Sequence, residues 1–154
     1  MLIFLCGCTK PISQTAILNN LQFDAEISSN DEKHNFFVSV NENGDTEMVC
    51  TDDLNISGTV FKFSQNGLTV SYNKLEYKTD INSLPDGINL DMLYCIFKNT
   101  KTDRLKSEND LFFINGNTEK YKYKIYFGQT GLPIKIEEEN FNISVLLKNV
   151  SFKK

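Results

Sequence analysis

The chain has 154 residues, 40% of them hydrophobic and 23% charged, with sixteen Lys and Arg against twenty Asp and Glu for a net charge of −4. That is the length of one domain and the make-up of an ordinary globular protein, which excludes pervasive disorder and a polytopic membrane protein. The acidic balance argues against a nucleic-acid binder, the single histidine removes most of the usual catalytic vocabulary, and four cysteines are too few for a disulfide-dense scaffold.

Residues Met1 to Cys8 read M-L-I-F-L-C-G-C, the longest nearly uniform apolar run in the chain. The run is shorter than the about 20 residues of a bilayer span. It is also shorter than a complete secretory signal, whose apolar core of about 7–15 residues follows a basic start. We read residues 1–8 as the end of a lipoprotein signal whose first residues are missing. Leu5-Cys6-Gly7-Cys8 resembles the lipobox of bacterial lipoproteins. Such a box needs a small residue at Gly7 for access to the peptide bond, and a thiol at Cys8 because only a thiol forms the thioether. The resemblance implies a diacylglyceryl group on Cys8, which becomes the first residue. It also implies an extracytoplasmic location, on the outer face of the cytoplasmic membrane. More than one acyl chain is needed for firm anchoring. Residues 9–20 then form a tether or a short N-terminal helix that Ser13 could cap.

From Leu21 the pattern has period two, with Leu21, Phe23, Ala25 and Ile27 alternating with polar residues, the mark of a half-buried strand. Phe36 to Val40 predicts the next strand, and Asn43-Gly44-Asp45 turns it into Glu47 to Thr51. Ile56 to Ser64 follows, with Phe61 and Phe63 on one face, and Asn66-Gly67 leads to Leu68–Tyr72 and then Leu75–Lys78. The stretch 83–87 (Ser-Leu-Pro-Asp-Gly) breaks this rhythm, and Leu90, Leu93, Tyr94 and Phe97 fall at helical spacing, predicting a helix from Asn89 to about Asn99. Thr100 to Asp110 reads as a surface loop. Leu111 to Ile114, a turn at Asn115-Gly116-Asn117, Lys120 to Phe127, Ile134 to Glu138 and Phe141 to Phe152 complete the strands.

The expected fold is therefore α+β and mainly β. It is a curved antiparallel sheet or unclosed half-barrel spanning 21–154, with one or two helices covering its concave face, because a long meander must close or be covered. Several fragments strengthen this reading: Leu21–Ile27, Leu54–Gly58 running to Phe63, Gly67 through Leu75, Leu84-Pro85 before the helix, and Thr130-Gly131-Leu132-Pro133. Together they resemble the LolA/LolB-like superfamily, in the form of small Gram-positive, clostridial lipoproteins. The resemblance implies a half-barrel around an apolar cavity with helices as a lid. It implies no particular cargo, since a Gram-positive cell has no outer membrane to receive lipoproteins.

The side chains offer little chemistry. His34 stands among charges between the first two strands and reads as a solvated loop residue. Asp52-Asp53 and Glu137–Glu139 match no cation-loop pattern and read as solvated surface. Cys50 and Cys95 lie in apolar surroundings; export permits a disulfide between them, and buried free thiols are the preferred reading. No metal, cofactor, catalytic constellation or nucleic-acid partner is expected. Twelve Phe and six Tyr lie mostly on strand faces, where they make either a packed core or the lining of a cavity. In the second case the lining is Phe61, Phe63, Leu68, Val70, Leu93, Phe97, Tyr121, Tyr123 and Ile125, and it suits an acyl chain. Lys120, Lys122 and Lys124 form a solvated outer face that could approach anionic headgroups. The functional expectation is a monomeric, membrane-anchored carrier or binder of a lipid-like ligand; the alternative is a non-enzymatic envelope interaction or regulatory module with a filled core.

Overall fold

The computed structural model describes residues 16–30, 32–52, 56–83, 89–102 and 105–153. The first half of the chain is a meander of six strands: β1 (Leu21–Ser29), β2 (Glu32–Val40), β3 (Thr46–Cys50), β4 (Val60–Ser64), β5 (Gly67–Tyr72) and β6 (Leu75–Thr79). A 3-10 turn at Ile81–Ser83 and the helix α1 (Met92–Asn99) follow. The second half is β7 (Lys106–Glu108), β8 (Leu111–Asn117), β9 (Lys122–Phe127), β10 (Pro133–Glu138) and β11 (Ile143–Phe152).

All of these strands join one antiparallel sheet in the order β6-β5-β4-β3-β2-β1-β11-β10-β9-β8-β7. The sheet is open and curved, the half-barrel expected from the strand pattern. Its two meanders are joined at the centre, where β1 pairs with β11 from Leu21↔Phe152 to Ser29↔Ile143, with one irregularity between Gln22 and Asp24. Its two edges, β6 and β7, are successive in the chain. The connection between them must therefore cross the width of the sheet, and α1 is the part of that crossing that packs on the concave face.

Alternation decides which side chains face α1. Leu21, Phe23 and Ala25 of β1, Phe36, Val38 and Val40 of β2, and Val145 and Leu147 of β11 are buried in one core with Met92, Leu93, Ile96 and Phe97. An eight-residue helix does not hold itself together in water. Its apolar face does so here: Phe97 packs on Phe23 with ring centroids 5.8 Å apart, and Tyr94 stacks on Phe63 at 6.0 Å. Each such buried side chain contributes on the order of 1.5–3 kcal/mol. At the C-terminal end, Thr100 Oγ1 donates to Ile96 O at 2.6 Å and Lys98 Nζ donates to Asn43 O at 2.9 Å. Gly44, with φ +82, lets the turn after β2 approach the helix; a Cβ there would stand 3.1 Å from Lys98 Cα.

Several local expectations are corrected. β2 begins at Glu32, so His34 is a strand residue opposite Ile27, not a loop residue. Apolar alternation marks only the part of a strand that touches the core, and the outer ends of β1 and β2 are polar. Asn115-Gly116-Asn117 is not a turn but the end of β8, paired with Lys124, Tyr123 and Lys122. The turn follows at Thr118, whose Oγ1 accepts from the backbone N–H of Tyr121 at 2.9 Å. Ile56–Gly58 is a turn, with Gly58 at φ +83, and the strand starts only at Val60. The loop expected over 100–110 contains β7, which pairs with β8 from Lys106↔Phe113 to Glu108↔Leu111. The helix starts at Met92, three residues later than expected. No helix is found at residues 16–20, and Ala16 and Leu18 are buried in the core ahead of Leu21. Ser13, Cys8 and the apolar run before it lie outside the described residues.

Candidate functional site

The nine side chains proposed as a cavity lining are brought together by the fold. Phe61, Phe63 and Leu68 on one wing, Tyr121, Tyr123 and Ile125 on the other, and Leu93 and Phe97 from α1 are all buried in the same cluster, with Val70 partly buried at its margin. They belong to the one core that α1 shares with the sheet. Two of their polar tips anchor the helix. Tyr123 OH and Thr100 Oγ1 are 2.7 Å apart, and Tyr121 OH donates to Asp91 Oδ1 at 2.6 Å.

Asp91 immediately precedes α1 and is buried, a placement that a carboxylate tolerates only with partners. Lys120 Nζ donates to its Oδ1 at 3.0 Å, and Cys95 Sγ lies 3.6 Å from its Oδ2. Lys120 is thus a partner of the helix start, not a member of a purely solvated face. Burial, followed by the Asp91 carboxylate, pushes the Cys95 thiol up to about 12, which makes it a poor nucleophile. Burial also raises Tyr121, with the Asp91 hydrogen bond adding to it. Cys50 and Cys95 are both free.

The two roomiest clefts among the described residues lie at the two ends of α1. One cleft, of about 510 Å³, borders the C-terminal end of the helix between Ala16, Leu18 and Phe97 and the polar side chains of Glu42, Asn43 and Lys98. The other, of about 460 Å³, opens where Leu90 and Met92 lead into the helix above the outer parts of β1, β2 and β11. Its apolar wall is Ile27, Phe36, Leu90, Met92 and Ile143, and its rim carries Glu32, His34 and Asn89. An apolar floor, a few polar groups at the mouth and a volume within about 300–1,000 Å³ are the properties of small-molecule sites, so this second cleft is the stronger candidate.

The rim is built, not merely solvated. Asp52 accepts from the backbone N–H of Asn35 at 2.9 Å and from Asn35 Nδ2 at 2.7 Å. His34 Nδ1 stands 3.4 Å from Asp52 Oδ2, and His34 Nε2 stands 3.7 Å from Glu32. Glu138 likewise departs from the solvated cluster expected of it. It is buried, and its carboxylate accepts from the backbone N–H groups of Lys122, Asn140 and Phe141, closing the turn after β10. Among the described residues, no three His, Cys, Asp or Glu side chains are grouped to hold a metal ion, and no helix is long and apolar enough to cross a membrane.

None of the five apolar wall residues is in the set proposed from the sequence. The alternation of β1 and β2 does place Ile27 and Phe36 on the core face. Which end of that face a short helix leaves uncovered is not contained in periodicity.

The fold and the cleft define an open antiparallel half-barrel with a helix across its concave face. Among solved structures the chain is similar to a conserved protein from Thermus thermophilus, at 5% identity and a TM-score of 0.51, covering 88% of this chain and 80% of that one. It is also similar to a LolA superfamily protein from Nitrosomonas europaea (10% identity, TM-score 0.46, 92% and 89% covered). A third similar structure is the Mycobacterium tuberculosis lipoprotein LppX (10% identity, TM-score 0.40, 84% of each chain). Likenesses at these identities concern the fold alone. No protein-family model matches the chain, and no curated protein does.

Proposed function

We propose that this chain is a lipid-anchored envelope protein, of the small Gram-positive lipoprotein kind, that holds a lipid-like hydrophobic ligand on the concave face of its half-barrel. Its anchor is lipidated Cys8, on the outer face of the cytoplasmic membrane. The role is binding without catalysis. The observation that carries the reading is the apolar cleft beside the start of α1, where Ile27, Phe36, Leu90, Met92 and Ile143 meet beneath a polar rim. Water gains by leaving such a wall, and an acyl chain can cover it while a headgroup stays at Glu32, His34 and Asn89. Native mass spectrometry of the purified full chain, with uptake of a fluorescent fatty acid, tests this. Co-purified lipid or saturable uptake is the expected result; neither being found would sink the carrier reading.

A second reading, a non-enzymatic interaction or regulatory module with a filled core, is favoured by the ring packing of Tyr94 and Phe97 of the helix on Phe63 and Phe23 of the sheet. It expects no uptake and an exposed surface that captures another protein.

A further inference from the structure

The two edges of the sheet are unlike. β7 is three exposed residues, Lys106–Glu108, with no apolar side chain, which is how β-proteins keep an edge from pairing. β6 is five residues long and carries Leu75 at 75% exposure and Tyr77 at 66%. Both belong to the core face of the sheet: Tyr77 pairs with Val70, and Val70 pairs with Phe61, which is buried. Among the described residues, the apolar face therefore runs past the cover of α1 to the edge strand β6.

The backbone of that edge has a defined register. Asn73 and Lys74, with φ of 47 and 70, make a two-residue hairpin that joins Tyr72 to Leu75. A two-residue loop of this type is flanked by a hydrogen-bonded pair. Alternation from that pair turns the N–H and C=O groups of Leu75, Tyr77 and Thr79 toward β5, and those of Glu76 and Lys78 outward.

We propose that β6 pairs antiparallel with β6 of a second copy, about a two-fold axis at Tyr77, to make one continuous sheet across a homodimer. In this register Glu76 faces the partner's Lys78 and Lys78 faces the partner's Glu76, and both pairs use the outward backbone groups. Tyr77 faces the partner's Tyr77 at a non-hydrogen-bonded position, where opposed side chains are closest. Within one copy, Lys78 Nζ already lies 3.2 Å from Glu76 Oε1, so pairing sets four charges in alternating sign along one face. The interface is isologous and closes at two copies. β7 also ends in opposite charges, but it offers three residues and no apolar area. Burial of Leu75 and Tyr77 drives the association, and the exposed charges select the register, since such pairs contribute little energy by themselves.

Sedimentation of the full chain over a range of concentrations reads the result. A monomer–dimer equilibrium is expected. Glu76→Lys, which sets Lys against Lys at both pairs, weakens it about tenfold or more, and Glu76→Lys with Lys78→Glu restores it. Circular dichroism and thermal unfolding verify that each variant is folded. A monomer at every concentration up to about millimolar would overturn the proposal. So would a dimer that Glu76→Lys leaves unchanged, or one that the charge exchange fails to restore.

Discussion

Gly116 shows how a residue that reads as a turn can be a packing device. It lies inside β8 opposite Tyr123, and a Cβ on it would collide with the ring carbons and hydroxyl of that side chain. Tyr123 is buried and its hydroxyl is bonded to Thr100, so moving the ring aside gives up that bond and part of its packing. Gly116→Ala is expected to destabilise the fold by about 1–3 kcal/mol, the usual result of overpacking. Urea denaturation checks it, and combining Gly116→Ala with Tyr123→Leu is expected to lose less than the sum of the single changes. Buried hydroxyls and a thiol give a second residue-level expectation. Burial raises Tyr94, Tyr121 and Tyr123, the hydrogen bond to Glu137 pushes Tyr126 up to about 12, and burial pushes Cys95 up to about 12. The unfolded chain releases these protons near the ordinary values, about 8.5 for Cys and about 10 for Tyr. Above those values the unfolded state binds fewer protons than the native state, so stability falls as pH rises. Thermal unfolding should show full stability up to about pH 8 and a continuous loss from about pH 9 to 12. Cys95→Ala should remove the earliest part of that loss. A flat profile through pH 11 would contradict the assignment.

At the scale of elements, α1 is short because it has one task, to cover the middle of the concave face, and it leaves the outer ends of β1, β2 and β11 open. Leu90 stands at that boundary, partly buried and on the wall of the cleft. Leu90→Glu places a charge where the ligand's apolar part would lie. It is expected to lower fatty-acid affinity about tenfold or more with little change in thermal midpoint, because the helix keeps Met92, Leu93, Ile96 and Phe97 in the core. Leu111→Glu, at an exposed position on β8, should leave uptake unaltered. Equal affinity in Leu90→Glu and the parent would move the binding site elsewhere.

For the whole molecule, the proposed anchor and the proposed cleft are separable. Cys8→Ser is expected to release the chain from the membrane fraction, or leave it unprocessed, without changing ligand uptake by the purified protein; an unchanged membrane fraction would refute the lipidation site. Much of this architecture was legible along the chain. Alternation in Leu21–Ile27, the aromatics of Phe61–Phe63 and Tyr121–Phe127, and the helical spacing of Leu90 to Phe97 predict a one-sided sheet with a helix on it. These patterns are local, since they record which side of each segment avoids water. Three matters needed the assembled fold. The pairing of β1 with β11 joins residues as distant as Leu21 and Phe152. Asp52 is bonded to the backbone of β2, and Glu138 closes a turn, because of N–H donors that the fold brings to them. The cleft exists where a helix of fixed length stops short of a wider sheet. Faces and alternation are settled along the chain, because each side chain gains or loses by burial on its own. Which part of the apolar face is filled and which stays open is settled only in three dimensions, because that depends on where α1 crosses a sheet whose edges are set by long-range pairing.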